Sequence, residues 1–393
     1  MMTDYSPVLD YIDGYWERII RSNPEERGTL IGLPHPYLVP SDGGDTGMFQ
    51  EFYYWDSYFM SLGVVGTEHQ HLVEATARNM GYLIERFGVI PNGSRYYFLS
   101  RSQPPFFMAQ IKLAYRLSHD TKVLTDLLPL AIREHEAVWH GTAQPHHRLV
   151  HRGLSRYFDI NYLHILASCE CGWDHSTRCD DRWLDHLPVD LNSILYEREI
   201  DFAWANETLG HVEIAESWRA RAAARAATMN ELMWDEAEGF FFDYDYTREQ
   251  RNPDPSLAGF FPLWAGWASE AQAARVVRDW LPRFEMQGGL VTTLKHEAGK
   301  QWAYPNGWAP LQWIVVEGLQ RYGYAEDADR LRRKWCDTVA HVFHSHEPHI
   351  CREKYNVVDP DDGGEGGLYG HVPGFGWTNA VFKVFAHELM GDG

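Results

Sequence analysis

The chain predicts an all-α fold, a closed array of paired helices, and three observations carry that prediction. Apolar residues recur at alternating steps of three and four in one segment after another, which is the spacing of a single helix face. Glycine and proline collect between these segments rather than inside them. Helix–loop–helix pairs follow one another roughly every 50 to 70 residues with no low-complexity linker, which fits a single domain over residues 1–393 better than several.

In chain order, residues 8–21 read as the first helix, stopped at Asn23-Pro24 because proline has no amide hydrogen to give. A loop rich in Gly, Pro and Asp spans 32–47. Residues 55–63 are helical and lead into 71–87, where Val73, Ala77, Met80, Ile84 and Phe87 make one stripe. Pro91-Asn92-Gly93 marks a turn. Pro104-Pro105 opens a helix running to His119, and another covers 121–139. Residues 141–159 are irregular and gather Arg148, His151 and Arg152. Residues 189–207 and 212–234 are strongly helical, the second with Ala215, Trp218, Ala222, Ala226 and Met229 on one face. Residues 239–246 alternate aromatic and acidic side chains, as a short hairpin strand does. Helices return at 257–267, 271–281, 308–322, 325–343 and 377–390.

Composition narrows the function classes. Hydrophobic residues at 45% and charged ones at 23% permit a sizeable core. A formal charge of −20 argues against nucleic acid and anionic membrane as partners, because both need clustered Lys and Arg. No apolar run reaches the roughly 20 residues of a membrane span. Residues 1–21 carry Asp4, Asp10, Asp13 and Glu17 and no apolar stretch, so no secretory signal is expected there. Five cysteines are too few and too scattered for a disulfide framework, which leads us to expect a reducing, cytoplasmic setting. A monomer is expected. Aromatics at 14%, with 16 Trp, exceed ordinary packing needs; sugar C–H faces stack on such rings, though most individual Trp residues serve a core.

Candidate chemistry sits in a few stretches. In Gly172-Trp173-Asp174-His175-Ser176-Thr177-Arg178, the glycine permits tight backbone, and Trp173 and Arg178 set an apolar wall and a planar donor fork beside Asp174. Residues 49–59 are the densest aromatic run, in which Asp56 either orients a sugar hydroxyl or caps an aromatic core helix. The loop 91–105 offers Asn92, Arg101 and Gln103 as polar arms, with Arg95 facing solvent. Asp174 and Glu353 are candidates for the acid and base carboxylates of glycoside cleavage. Cys169, Cys171 and Cys179 with His164 and His175 lack the ligand spacing of zinc sites and read as inert thiols, so no metal or cofactor is expected. No nucleotide-binding or serine-hydrolase motif is present.

Together these stretches resemble the trehalase family of glycoside hydrolases over nearly the whole chain. The first family signature is matched by Phe49-x-Glu51-x-Tyr53-Tyr54-Trp55-Asp56-Ser57-Tyr58-Phe59, and the second by the run from Gln301-Trp302 to Ala309-Pro310. Asn92-Gly93-x-Arg95, Arg101-Ser102-Gln103-Pro104-Pro105, Gly172-Trp173-Asp174, Pro188-Val189-Asp190-Leu191-Asn192 and Gly374-Phe375-Gly376-Trp377-Thr378-Asn379 are further matches. The resemblance implies an (α/α)6 barrel and inverting hydrolysis of an α-glucosidic bond, with α,α-trehalose first among substrates. It implies Asp174 as general acid and Glu353 as general base. Phe49, Trp55, Asp56, Asn92, Arg101 and Trp302 would hold the glucose being cleaved, and Gln103, Gly172, Glu365 and Trp377 complete the expected binding set.

The chain also departs from the family pattern. Met48 stands where an Arg is usual, Ala303 where an Asp is usual, and Leu368 where a Glu is usual, with Glu365 three residues earlier. Residues 157–171 are shorter and lack an Arg-Pro-Glu stretch. These losses fall on the side implied to grip the leaving sugar. They leave open an α-glycoside with a different aglycone, such as a glucosylglycerate- or mannosylglycerate-like solute meeting Arg148, His151, Arg152 and Arg156. A sugar-binding protein without catalysis is the remaining reading. Two retained carboxylates speak against it, since burying them burdens a pure binder.

Overall fold

The computed structural model describes residues 3–44, 47–142, 144, 146–363 and 372–391. Among them are helices α1 (Ser6–Ile19), α2 (Tyr54–Gly63), α3 (His71–Phe87), α4 (Phe107–Ser118), α5 (Thr121–Glu134), α6 (His164–Glu170) and α7 (Val189–Thr208). They continue with α8 (Val212–Met233), α9 (Phe261–Ala265), α10 (Glu270–Arg275), α11 (Leu281–Phe284), α12 (Ala309–Arg321), α13 (Ala325–Ser345) and α14 (Gly376–Met390). Six of these close a ring: α2 packs on α4, α4 on α7, α7 on α9, α9 on α12, α12 on α14, and α14 back on α2. Helices α1, α3, α5, α8 and α13 pack against that ring from outside, which gives the (α/α)6 barrel.

The sequence sorts the two layers by burial. Inner α7 and α12 bury residues on every face, because each has neighbours all round. Outer α3 and α13 bury one stripe and leave charged residues to solvent. Asp120 caps α5 by accepting from the Lys122 amide at 2.8 Å, and Ser269 with Gln272 makes a capping box on α10.

Most expected helices lie where the periodicity puts them, and the differences have local causes. Pro104 and Pro105 precede α4 rather than opening it, and the Phe107 amide donates to the Tyr54 hydroxyl at 3.1 Å instead. The expected helix over 121–139 ends as α5, and residues 135–139 continue as a wider turn closed by His140 N–H to His135 O at 2.7 Å. Residues 276–280 do the same after α10. The stretch 239–246 holds two short hairpin strands rather than one. Phe240–Phe241 pairs with Trp234–Asp235, and Tyr244–Asp245 pairs with His186–Leu187 and Gln250–Arg251. Helix α6 arises in a region with no clear helical stripe in sequence.

The loops at one end of the ring are tied across it. Strand Asn306–Trp308 runs antiparallel to Lys354–Asn356, with Trp308 opposite Lys354. This pairing brings the stretch before α12 beside the one that precedes α14.

Candidate active site

A cavity of about 180 Å³ opens beside the N-terminal ends of α2, α12 and α14. Phe49, Trp55, Asp56, Asn92, Arg101, Gln103, Gly172, Asp174, Trp302, Glu353 and Trp377 line it, so segments more than 300 residues apart in sequence meet on one wall. Tyr53, Phe98, Cys169, Trp308 and Phe375 join them. Glu365 and Leu368 lie outside the described residues.

The walls are an aromatic box. Trp302 and Trp308 stack with centroids 3.7 Å apart and planes 4° from parallel. Trp377 stands edge-on to both, at 6.1 and 5.8 Å, and Trp55 lies 5.8 Å from each of Trp302 and Trp377. Flat ring faces held this rigidly suit the C–H face of a hexose. Gly172 has φ +75, and a Cβ there would meet the Trp55 ring at 2.7 Å. Only glycine brings the backbone that leads into Asp174 so close to that wall.

Three carboxylates share the cavity. Asp174 accepts from the Gln301 amide at 3.3 Å. Burial pushes its pKa up to about 6, against the opposing pull of Lys354 and Arg101. Asp56, in the first turn of α2 and 5% exposed, is pushed up to about 8 by burial, and the charges of Glu353 and Asp174 add to the rise. It does not cap its helix; Tyr53 occupies that position. Glu353 differs. The buried Lys354 ammonium donates to it at 2.8 Å, and Lys354 itself packs over the Trp308 ring at 5.2 Å. The Glu353 backbone is pinned by its N–H to Val372 O at 3.1 Å and by Trp377 Nε1 donating to its carbonyl at 3.1 Å.

The polar arms are set by their own loops. Asn92 Nδ2 donates to the carbonyls of Ser102 and Cys169, both at 3.0 Å, which ties the turn to α6. Gln103 Oε1 takes the free Trp55 amide at 3.1 Å. Arg101 pairs with Asp159 at 3.2 Å and stacks over Phe98 at 5.3 Å, while its buried Nε has no hydrogen-bond partner among the described residues.

Several expected groups do other work. The Arg178 fork serves Asp243 and Asp190, not Asp174, and its guanidinium lies 4.6 Å over the Trp173 ring. Buried between two carboxylates, it holds the loop rather than the acid. Arg148 is spent on Glu170, Arg152 on Glu231, and Arg156 on the carbonyls of His146, His147 and Leu184. None of these arginines, nor His151, lines the cavity. Met48 and the fully buried Ala303 do not line it either. Cys169 reaches the wall, whereas Cys171 and Cys179 are buried and His164 accepts from the Leu184 amide. The groupings able to gather a metal ion among the described residues are His135–His140–Glu199 and Glu17–Glu68–His69, both away from this wall.

Sequence reasoning missed Lys354 and Gln301 as the partners of Glu353 and Asp174. Gln301 and Trp308 stand inside a signature that was read for its neighbours, and Lys354 is adjacent in the chain to the group it serves.

Comparison with known proteins follows this geometry. The Trehalase family profile matches residues 4–165 and 161–389. A periplasmic trehalase of Salmonella newport is 34% identical over 423 residues, covering 95% of this chain and 72% of that protein. The neutral trehalase of Saccharomyces cerevisiae superposes with a TM-score of 0.78 at 27% identity, over 91% of this chain and 74% of its own. A GH63 mannosylglycerate hydrolase of Thermus thermophilus shares the fold, at TM-score 0.71 and 18% identity over 97% of this chain and all of its own. The curated relatives carry the name periplasmic trehalase, which overturns the cytoplasmic expectation. That expectation leaned on sparse cysteines, and a barrel with a large core needs no disulfides in either compartment. With the family profile spanning nearly the whole chain, the protein belongs to the Trehalase family and is a glycoside hydrolase.

Proposed function

We propose that the protein hydrolyses α,α-trehalose to two glucose molecules with inversion, Asp174 acting as general acid and Glu353 as general base. The observation that carries this reading is the unequal treatment of two carboxylates on one sugar-sized wall. Asp174 is held up at about 6 by burial, so it keeps a proton to give, while Glu353 has an ammonium at 2.8 Å to stabilise its charge.

One glucose ring sits in the aromatic box, its hydroxyls meeting Asp56, Asn92, Arg101 and Gln103. Asp174 delivers its proton to the glycosidic oxygen as the C–O bond breaks. Glu353 takes a proton from a water attacking the anomeric carbon from the opposite face, so the cleaved sugar leaves as the β anomer. The water's second hydrogen stays on the new hydroxyl, and the proton on Glu353 returns to Asp174 through solvent. The relatives named as trehalases support trehalose as the substrate. An acidic aglycone gains no support from Arg148, Arg152 and Arg156, which are engaged elsewhere.

The test is kcat/KM for purified protein on trehalose, maltose, sucrose and an aryl α-glucoside. Trehalose should lead. Turnover of another α-glucoside with none of trehalose would reject the substrate while keeping the chemistry.

A further inference from the structure

A second cavity, of about 490 Å³, opens at the opposite end of the helix ring. The catalytic cavity uses the N-terminal ends of α2, α12 and α14. This one is reached from later turns of α2, α7 and α12 and from α4 and α9. Its walls include Tyr58, Trp264 and Trp313, each at most 8% exposed, and the carboxylates Glu197, Asp201 and Glu317.

Its polar groups are unequally served. Asp201 is paired with Lys112. Glu197, one turn earlier on α7, accepts no hydrogen bond among the described residues, has Arg321 no nearer than 3.9 Å, and is 16% exposed. Burial and the neighbouring Asp201 charge push its pKa up to about 8. Glu317 accepts no hydrogen bond among the described residues either. The indole N–H groups of Trp264 and Trp313 and the Tyr58 hydroxyl donate to no described residue, although these side chains are more than nine-tenths buried. None of these polar atoms is sealed inside the core, so a molecule entering the cavity can meet them. Nothing in the hydrolysis uses any of them.

We propose that this cavity is a second ligand site, for a neutral polyhydroxy compound of mono- to disaccharide size. Its volume lies within the range of about 300–1,000 Å³ typical of small-molecule sites. A cation would satisfy Glu197 and Glu317 and leave the indole and phenol donors without an acceptor. An anion would meet three carboxylates, and a cation would also meet three basic side chains, Lys112, Arg116 and Arg321. A polyol both donates and accepts, and its C–H faces lie on the tryptophan rings.

Fluorine NMR on fluorotryptophan-labelled protein tests this with D-glucose as the probe, a choice that rests on the proposed hydrolysis. Trp264→Phe and Trp313→Phe assign the two resonances. Both should shift saturably with glucose, and Glu197→Gln or Glu317→Gln should raise the half-saturation concentration at least about fivefold, as expected for a hydrogen bond lost with the carboxyl group. Catalytic kcat/KM should not change in Glu197→Gln. A linear, unsaturating response, or saturation indifferent to both substitutions, overturns the site. A shift with spermidine and none with glucose makes it a cation site and overturns the ligand class. The Trp302 and Trp377 resonances report the catalytic cavity in the same titration, so their silence counts against the proposed hydrolysis and not against this site.

Discussion

Asp174 and Asp56 have raised pKa values for the same reason, removal of water from a carboxylate, and their neighbours decide how far each one moves. Lys354 and Arg101 restrain Asp174 to about 6, whereas the Glu353 and Asp174 charges carry Asp56 to about 8. A general acid works only while protonated, so kcat/KM should fall as the pH rises through about 6. Asp174→Asn and Glu353→Gln should each lower kcat at least about a hundredfold, the low end for acid–base catalysis. Near-full activity in either variant removes that residue from the chemistry. Stability follows the same groups. Both folded-state values exceed the ordinary 3.8, so their contribution is complete below that pH and is lost as the pH rises through about 6 and then about 8. Asp56→Asn, which cannot ionise, should therefore show a flatter Tm between those pH values than the parent protein. An unchanged slope would mean that Asp56 is ionised throughout.

Gly172 shows how a turn fixes the geometry of a catalytic loop. Its positive φ and its 2.7 Å clearance to the Trp55 ring leave no room for a methyl group. Gly172→Ala should cost about 1–3 kcal/mol of stability through backbone strain. It should also displace either Trp55 or Asp174, raising KM and lowering kcat together. A variant with parental Tm and kinetics would show that the loop adjusts freely. The turn was legible in sequence because glycine beside Trp and Asp is unusual, and the role of Arg178 was not. A donor fork four residues from a carboxylate looks like its partner. Only the fold reveals that Asp190 and Asp243, distant in the chain, hold it instead. The segment 157–171 gives the same lesson. It read as a loss of family residues, yet it folds into α6 and places Cys169 on the wall.

The ring itself was the most legible feature, because about a dozen helical segments need little tertiary information to be recognised. What periodicity cannot give is order around the ring, or which ends face one another. Those follow from contacts between helices remote in sequence, such as α14 closing on α2. The same remoteness hid the second cavity, whose walls come from five helices, each unremarkable alone. Metal independence is an expectation that belongs to the assembled fold. Glu199, in the buried grouping with His135 and His140, has both carboxylate oxygens taken by Arg225 at 2.9 and 3.1 Å. On the proposed mechanism the cavity wall supplies its own proton donor, Asp174, and a carboxylate paired with an ammonium, Glu353. Activity after exhaustive chelation should equal that before it. Loss on chelation, restored by one added divalent ion, would contradict this.

The central claim is inversion by the Asp174–Glu353 pair, and proton NMR of the first products from trehalose tests it most directly. Read before mutarotation, the account predicts one β-glucose for every α-glucose, the β anomer from the attacked ring and the α anomer from the leaving one. Release of α-glucose alone would mean retention at the cleaved centre and would contradict it.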